Sequence, residues 1–471
     1  MPETYSRQRN YHPLTMKNKS LLLTDKYNVA VPRYTSYPTM PYWDAATFDA
    51  ELWRQSVKFS FTESNSQSGI SLYIHLPYCE SLCTYCGCNT RITKNHKVEE
   101  PYIAAVLKEW AIYLAMFNAT PVIREVHLGG GTPTFFSPKN LQTLINGIIK
   151  PATLHADAEF SFEAHPANTT VDHLQVLYDV GFRRLSLGIQ DFDPKVQFII
   201  NRHQTADQVM TVTQQARRIG YTSINYDLIY GLPLQTLAGL ADTMNKVALF
   251  KPDRIAFYSY AHVPWIKPGQ RRFTEDDLPD AAAKTKLHET GRALLMHYGY
   301  HEIGMDHFAL SGDELLQAEQ NGRLHRNFMG YTHQHTQLQI GLGVSSISDS
   351  WYGFAQNVKT VEEYLQLTSA GQLPVFKGHI LTTEDLIVRK HILNIMCKSQ
   401  TVWNHHGQPS AAVTDGLERL DALADDGLVE LNALGLVVTE IGKRYLRNIC
   451  MCLDARLWAD KPATQLFSMA I

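Results

Sequence analysis

The sequence predicts an α/β protein: an incomplete parallel (β/α) barrel, preceded by an extended arm and followed by a mainly helical, winged-helix-like region. Three observations carry the prediction. From Ser71 onward, short strand-like runs alternate with amphipathic stretches, a rhythm that yields right-handed β-α-β units and a parallel sheet. The first 70 residues lack that rhythm and gather Pro and Tyr in VPRYTSYPT, Val31–Thr39. After about Leu381 the texture becomes helical again.

Taken in order, residues 1–70 form the arm, with a short helical pattern over Ala46–Ser60. Residues 71–380 form the barrel and its extension. Candidate strands are Ser71–Leu76, Arg124–Leu128, Glu159–Ala164, Arg184–Ile189, Ser223–Ile229 and Arg254–Tyr260. Between them lie Glu99–Phe117, Pro138–Ile149, Val171–Val180, Ala206–Ile219 and Leu237–Phe250, each with apolar residues three and four apart. Such units can curl into an incomplete barrel, and a flat doubly wound sheet fits the same periodicity. Residues 381–471 hold helices at Thr383–Cys397 and Val413–Ala424, two short strands around Asn432–Gly435 and a last helix. They read as a helical cap over the barrel mouth. A DNA-binding wing is the weaker reading, because the wing has no cluster of Lys and Arg.

Lys+Arg 43 against Asp+Glu 46 gives a net charge of −3, so no global field draws the chain to nucleic acid or to an anionic membrane. The first residues have no apolar core of a secretory signal, and no run of about 18 apolar residues occurs. A cytoplasmic protein without a membrane span is expected. The seven cysteines are an odd number in a long chain, which argues against a disulfide framework.

Four of those seven lie within ten residues: Cys79, Cys83, Cys86 and Cys88. CESLCTYC follows the first strand, in a loop at its carboxyl end, where barrels place their chemistry. Three thiolates at this spacing can hold one face of an iron–sulfur cube and leave the fourth iron open to a ligand. Structural zinc, with Cys88 as fourth ligand, is the alternative. Zinc ribbons usually bring a second C-x-x-C knuckle, and none appears here.

Strand alternation points to the same end of the barrel. In FSFEA, Ser161 and Glu163 share a face; in LSLGIQ, Ser186, Gly188 and Gln190 do; in SINYDLI, Asn225 and Asp227 do. Tyr73 and His75 likewise share a face of the first strand. Glu163, Gln190 and Asp227 therefore end successive strands on one polar face. Cys450 and Cys452 read as packing in the last helix, and His333–His335 and His405–His406 as polar surface.

The chain resembles the radical S-adenosylmethionine (SAM) enzymes. Within them it is similar to the oxygen-independent coproporphyrinogen III oxidases of bacterial haem synthesis. The resemblance spans nearly the whole chain: RYTSYPT, SLYIHLPYCESLCTYCGCN, GGGTPT, GIQDF, DLIYGLP, GMDHF, LHRNFMGYT and RNICMC. It implies a radical SAM type barrel in which Cys79, Cys83 and Cys86 ligate a 4Fe–4S cluster, with SAM on the open iron. It implies reductive cleavage of SAM to methionine and a 5′-deoxyadenosyl radical that oxidises two propionates of coproporphyrinogen III to vinyl groups. It implies two SAM molecules per site. The first touches Tyr73, Gly130, Glu163 and Ile347; the second touches Tyr85, Gly131, Thr132, Gln190, Arg202, Asp227 and Ala261. Tyr73 and Cys88 are the catalytic candidates, and Cys88 also fits a plain buried thiol. An outside one-electron donor protein and a monomer are further implications. The pattern departs from the family after Glu163, where EAHP places His165 and Ala167 follows Pro166. Haem chaperone-like paralogues, which bind haem without oxidising porphyrinogen, are the rival reading; CGCN and the long C-terminal part count against it.

Overall fold

A computed structural model describes residues 23–44, 48–403 and 410–470. The first residues of the Ala46–Ser60 pattern and the His405–His406 doublet lie outside them. Six strands run side by side in chain order: β1 (Ile70–Leu76), β2 (Val122–Gly130), β3 (Thr153–Ala164), β4 (Phe182–Gln190), β5 (Ser223–Tyr230) and β6 (Arg254–Ser259). Each pairs in parallel with the next. A doubly wound sheet reverses its order partway; this one does not, so right-handed crossovers put every connecting helix on one face. The opposite faces of β2 to β6 contribute to one cavity, as a curled sheet requires, and the loop that follows β1 lines it too.

The helices form where the sequence pattern places them, for local reasons. Pro138–Ile149 starts at Ser137, whose side chain accepts from the Asn140 amide, with Pro at the first turn. It buries Leu141, Leu144, Ile145 and Ile148, one helical stripe. Ala206–Ile219 opens on a Thr205–Gln208 capping box and ends at Gly220 in the left-handed region. Each Leu or Ile so buried contributes about 1.5–3 kcal/mol. The helix expected over Ala46–Ser60 runs over Ala50–Ser64, because Asp49 caps it by accepting from the Leu52 amide.

The sheet extends beyond the six strands to 12. Gln339–Leu342 lies parallel to β1, and Ile347–Asp349, Gly353–Asn357 and Val375–Ile380 continue antiparallel from it. His307–Ala309 and His301–Ile303 extend the other edge beyond β6. These strands are short, and the GFAQN strand is buried on both faces, so neither length nor alternation marks them in the sequence. Glu109 ties this extension to the helix Glu99–Leu114. Its carboxyl accepts from the Gly343 amide at 2.8 Å, Asn357 Nδ2 at 2.7 Å and Tyr364 Oη at 2.6 Å. Burial raises it to about 7.

The C-terminal region forms a second apolar core, and the arm belongs to it: Val31, Tyr34 and Tyr37 are buried with Val388, Ile392, Leu420, Tyr445 and Ile449. A three-stranded sheet, with Gln400–Val402 against the Val429–Asn432 and Gly435–Val438 hairpin, gives the winged outline. This region stands against the sheet edge, sharing its core with Ile303, Ala309 and Tyr331. Among the described residues none of 381–471 lines the cavity, so the expected cap over the mouth is a flank. Two distant motifs meet here. In RNICMC, the buried Arg447 donates to the carbonyls of Val31, Pro32, Ser468 and Met469, and Asn448 donates to the Tyr27 carbonyl at 2.9 Å. Tyr34 donates to Asp454 at 3.1 Å. No described helix is long and apolar enough to cross a membrane.

Arg447→Ala leaves buried carbonyls without a donor and should cost about 2–4 kcal/mol in urea unfolding. Limited proteolysis should then cut within the arm before the barrel. An unchanged arm half-life would contradict the clamp.

Candidate active site

Register places the polar side chains. Tyr73 is level with His127 and His127 with Ser161. Glu163 is level with Ser186, Ser186 with Asn225, and Gly188 with Asp227. These residues other than Tyr73 line a cavity of about 600 Å³ at the carboxyl ends of the strands. Its opposite wall is the cysteine loop.

Cys79, Cys83 and Cys86 all line that wall, and all seven cysteines of the chain are free thiols. The loop is fixed from a distance. The Thr84 amide donates to the Ile200 carbonyl at 2.9 Å, Asn201 Nδ2 to Leu82 at 2.8 Å, and Gln270 Nε2 to Tyr85 at 3.1 Å. Thr132 Oγ1 lies 3.3 Å from Cys79 Sγ, and Arg202 Nη1 points at Cys83 Sγ from 3.7 Å. Burial pushes the Cys79 thiol up to about 11. Cys86 is different: hydrogen bonding from the Cys88 thiol, opposed by burial but aided by the Cys88 amide, Lys267 and Arg202, brings it down to about 6. The Cys88 amide sits 3.4 Å from Cys86 Sγ.

Above the loop, β1 and β2 form a relay. His75 Nε2 donates to the Asn89 carbonyl at 2.9 Å, so Nδ1 is left to accept from Tyr73 Oη at 3.1 Å. Burial lowers the His75 pKa, which keeps this neutral tautomer. The Tyr73 ring stacks on His127, whose Nε2 meets Glu163 Oε1 at 3.4 Å while Nδ1 meets Ser161 Oγ at 2.8 Å. The Gly130 amide donates to Glu163 Oε2 at 3.2 Å. Burial raises the Glu163 pKa, but His127 and that amide outweigh it and the net direction is down. Gly130 has φ +112°, and a Cβ there would stand 2.6 Å from the His75 ring.

On β4 and β5, Asn225 Nδ2 donates to Asp227 Oδ1 and to Ser186 Oγ, each at 2.8 Å, and Ser186 donates to Asp227 Oδ2 at 3.1 Å. Burial, with Glu163 nearby, still raises Asp227 to about 6. Gln190 takes a positive φ of 68° at a register shift between Gly188 and Gln190, and its Oε1 is buried without a partner. Arg202 donates to the Gly188 carbonyl through Nε at 3.2 Å and through Nη2. A Cβ on Gly188 would lie 2.7 Å from that Nη2, so glycine makes the room.

The sequence-predicted residues fall into two groups. Cys79, Cys83, Tyr85, Cys86, Cys88, Gly130, Gly131, Thr132, Glu163, Gln190, Arg202 and Asp227 line the cavity. Tyr73 stands behind His127 and Ala261 just past β6, where its carbonyl accepts from the same Gln270 that holds Tyr85. Ile347 packs with Trp43, Phe354 and Leu381. His165 lines the wall as a neutral ring: Nδ1 accepts from the Ala167 amide at 3.1 Å, and burial, then Arg202, lowers it to about 3. His333 is not the surface group the sequence suggested. Its side chain is 10% exposed, 3.2 Å from both Glu159 and Glu314, with Arg184 on the other Glu159 oxygen.

Sequence reasoning missed His127, Tyr258, His307 and Tyr331, all of which line the cavity. His127 shares a strand face with Gly129, a signal already in HLGGG. His307 and Tyr331 sit in GMDHF and LHRNFMGYT, which carry the resemblance but had no role. Asp306 bonds His307 Nδ1 at 2.7 Å, and the Tyr331 and Tyr258 rings meet His307 edge-on.

A family model, the radical SAM superfamily, matches residues 73–247. The chain is 38% identical over 458 residues to the oxygen-independent coproporphyrinogen III oxidase of Escherichia coli (strain K12), spanning 96% of this chain and 98% of that relative. It is 37% identical to that of Synechocystis sp., over 95% and 97%. Among solved structures, coproporphyrinogen III oxidase (HemN) from Escherichia coli, a radical SAM enzyme, superposes with TM-score 0.85 at 37% identity, covering 90% of this chain and 97% of that one.

Two predictions follow from the electrostatics. Asp227 ionises more readily unfolded than folded, so its burial costs little below about pH 4 and most above about pH 6. Asp227→Asn should stabilise the ligand-free protein at pH 7.5 by about 1–3 kcal/mol, an advantage that fades as pH falls from about 6 to 4. Denaturant unfolding across that range measures it. In metal-free protein, iodoacetamide should label Cys86 before Cys79, with a half-point near pH 6, read by peptide mass mapping.

Proposed function

The chain belongs to the oxygen-independent coproporphyrinogen III oxidases, radical SAM enzymes that use a 4Fe–4S cluster and SAM, and we propose that it performs their reaction on coproporphyrinogen III. Two propionate side chains lose hydrogen and carbon dioxide and become vinyl groups, giving protoporphyrinogen IX. The observation that carries this reading is the cysteine loop facing Glu163, Gln190 and Asp227 across one cavity.

The residues present fit the cofactors. Cys79, Cys83 and Cys86 offer three soft ligands on one wall, and Cys86 is a thiolate near neutral pH. The buried, partnerless Gln190 Oε1 is an acceptor awaiting a donor. When bound, the cluster and SAM together supply a carbon radical able to take hydrogen from an alkyl carbon. The chain's own groups orient and shield. Glu163, held ionised by His127 and the Gly130 amide, offers a carboxylate to an ammonium. Asp227 and Gln190 offer acceptors to ribose hydroxyls or a second ammonium. Arg202 offers its guanidinium to a carboxylate once turned from Gly188. With Tyr85, Gly131 and Thr132 beside them, these groups exceed what one SAM needs, which supports two per site. Tyr73, hydrogen-bonded to His75, holds its proton, since burial raises its pKa well above the ordinary value. His307, Tyr258 and Tyr331 close the far end against the porphyrinogen. Electrons come from an outside donor.

Serine at Cys79, Cys83 or Cys86 should abolish the brown absorption after anaerobic reconstitution, and SAM cleavage with it. Cys88→Ser should keep the absorption. Loss of iron in Cys88→Ser, or zinc in the native protein, would overturn the ligand assignment.

A further inference from the structure

The end of the cavity away from the cysteines keeps two polar atoms unspent. Asp306 accepts from His307 Nδ1 at 2.7 Å, so the free nitrogen of that ring is Nε2. Neither Nε2 nor Tyr258 Oη has a hydrogen-bond partner among the described residues, and both residues line the cavity. The two rings meet edge-on with centroids 5.8 Å apart, and Tyr331 meets His307 in the same way at 5.3 Å. The His307 side chain is 9% exposed, so packing fixes its direction. Gly330, at φ +117°, carries no Cβ; one there would stand 3.5 Å from Nε2, and the glycine leaves that nitrogen clear. Burial raises the Tyr258 pKa well above the ordinary value, so its hydroxyl is a donor.

Charge decides what these atoms can take. Burial opposes the ionisation of Asp306, but His307, Arg326 and Arg33 bring it down to about 2. Asp227 is the other acid that acts on both His307 and Tyr258, and its oxygens are taken by Asn225 and Ser186. Two arginines against two acids leave this wall without net charge, and a protonated His307 makes it positive. The other cations that line the cavity are paired or stand elsewhere. Arg184 and Arg254 pair with Glu159 and Asp313. Arg202 faces Cys83 with His203 beside it, and Lys94 follows Thr93, whose amide donates to the Cys79 carbonyl at 2.9 Å. We propose that Tyr258 and His307, positioned by Asp306, bind the carboxylate of a propionate that does not react. The proposal rests on the function proposed above. The reacting propionates must reach the cysteine side, where the radical forms. The two that stay intact lie on the opposite half of the macrocycle, toward this end. A carboxylate accepts from the Tyr258 hydroxyl and from the Nε2 of the imidazolium, and its charge favours protonation of that ring. No covalent bond forms or breaks here. The contact selects substrates that keep the intact pair.

The test titrates reconstituted holoenzyme with two porphyrin probes and follows their Soret absorption. Deuteroporphyrin IX has the intact pair of propionates and hydrogen in place of the reacting pair; its dimethyl ester has the same ring with both carboxylates blocked. Tyr258→Phe, which removes only a hydroxyl, and His307→Gln should each weaken deuteroporphyrin IX binding on the order of ten-fold. Both should bind the ester as the wild type does. Asp306→Asn should repeat the His307→Gln result, since it acts through that ring. In turnover, KM for coproporphyrinogen III should rise by a similar factor while kcat changes less than about three-fold. Wild-type affinity for deuteroporphyrin IX in both Tyr258→Phe and His307→Gln would overturn the proposal. So would equal losses for acid and ester, which make the two side chains packing and not carboxylate partners. A wild-type protein that binds deuteroporphyrin IX more tightly than its ester yet converts no coproporphyrinogen III overturns the function itself, a distinct failure.

Discussion

A barrel lined with polar side chains must satisfy them without bulk water, because each buried polar group left unpaired costs about 1–3 kcal/mol. That constraint organises the lumen. At its lower end Arg184 pairs with Glu159, which His333 also reaches, and Arg254 pairs with Asp313 at 2.6 Å. Higher up, His127 bridges Ser161 and Glu163, and Asn225 with Ser186 holds Asp227. Parallel register makes these networks possible by setting their members level on neighbouring strands. Pairing is incomplete at both ends: Arg254 Nη1 and His333 Nδ1 below and Gln190 Oε1 above have no partner, and burial makes Asp227 costly to ionise. One of these gaps, at Gln190, faces the cysteines.

The cysteine loop depends on the same frame. Nothing in C-x-x-x-C-x-x-C by itself sets where the sulfurs point. Residues 199–201, after β4, and Gln270, after β6, hold it: the Thr84 amide and hydroxyl donate to the Ile200 and Ile199 carbonyls, and the Asn201 and Gln270 side chains donate to the Leu82 and Tyr85 carbonyls. Arg202 does two things at once, binding the Gly188 carbonyl and facing Cys83. Gln270 ties Tyr85 to Ala261, so residues far apart in the chain share one wall.

Features set by local periodicity were legible in the sequence. The six strands, the helices Pro138–Ile149, Ala206–Ile219 and Leu237–Phe250, and the shared face of Glu163, Gln190 and Asp227 follow from alternation and capping. Features set by tertiary contact were not. The strands at the sheet edges are too short to show a period, and the left-handed Gln190 follows from a bulge that alternation cannot show. The arm was legible as extended, but its partner was not: only the fold brings Arg447 to Val31 and Pro32. His127 shares a face of β2 with Gly129, so strand alternation alone makes it legible. His307 and Tyr331 reach the cavity from strands outside the barrel repeat.

The measurement that bears most directly on this account is the ratio of products in a single anaerobic incubation with coproporphyrinogen III, SAM and reductant. Two carbon dioxide molecules and two vinyl groups per porphyrinogen are expected, with 5′-deoxyadenosine formed in proportion to the vinyl groups. SAM cleavage that leaves all four propionates intact, or tight haem binding with no porphyrinogen turnover, would contradict it.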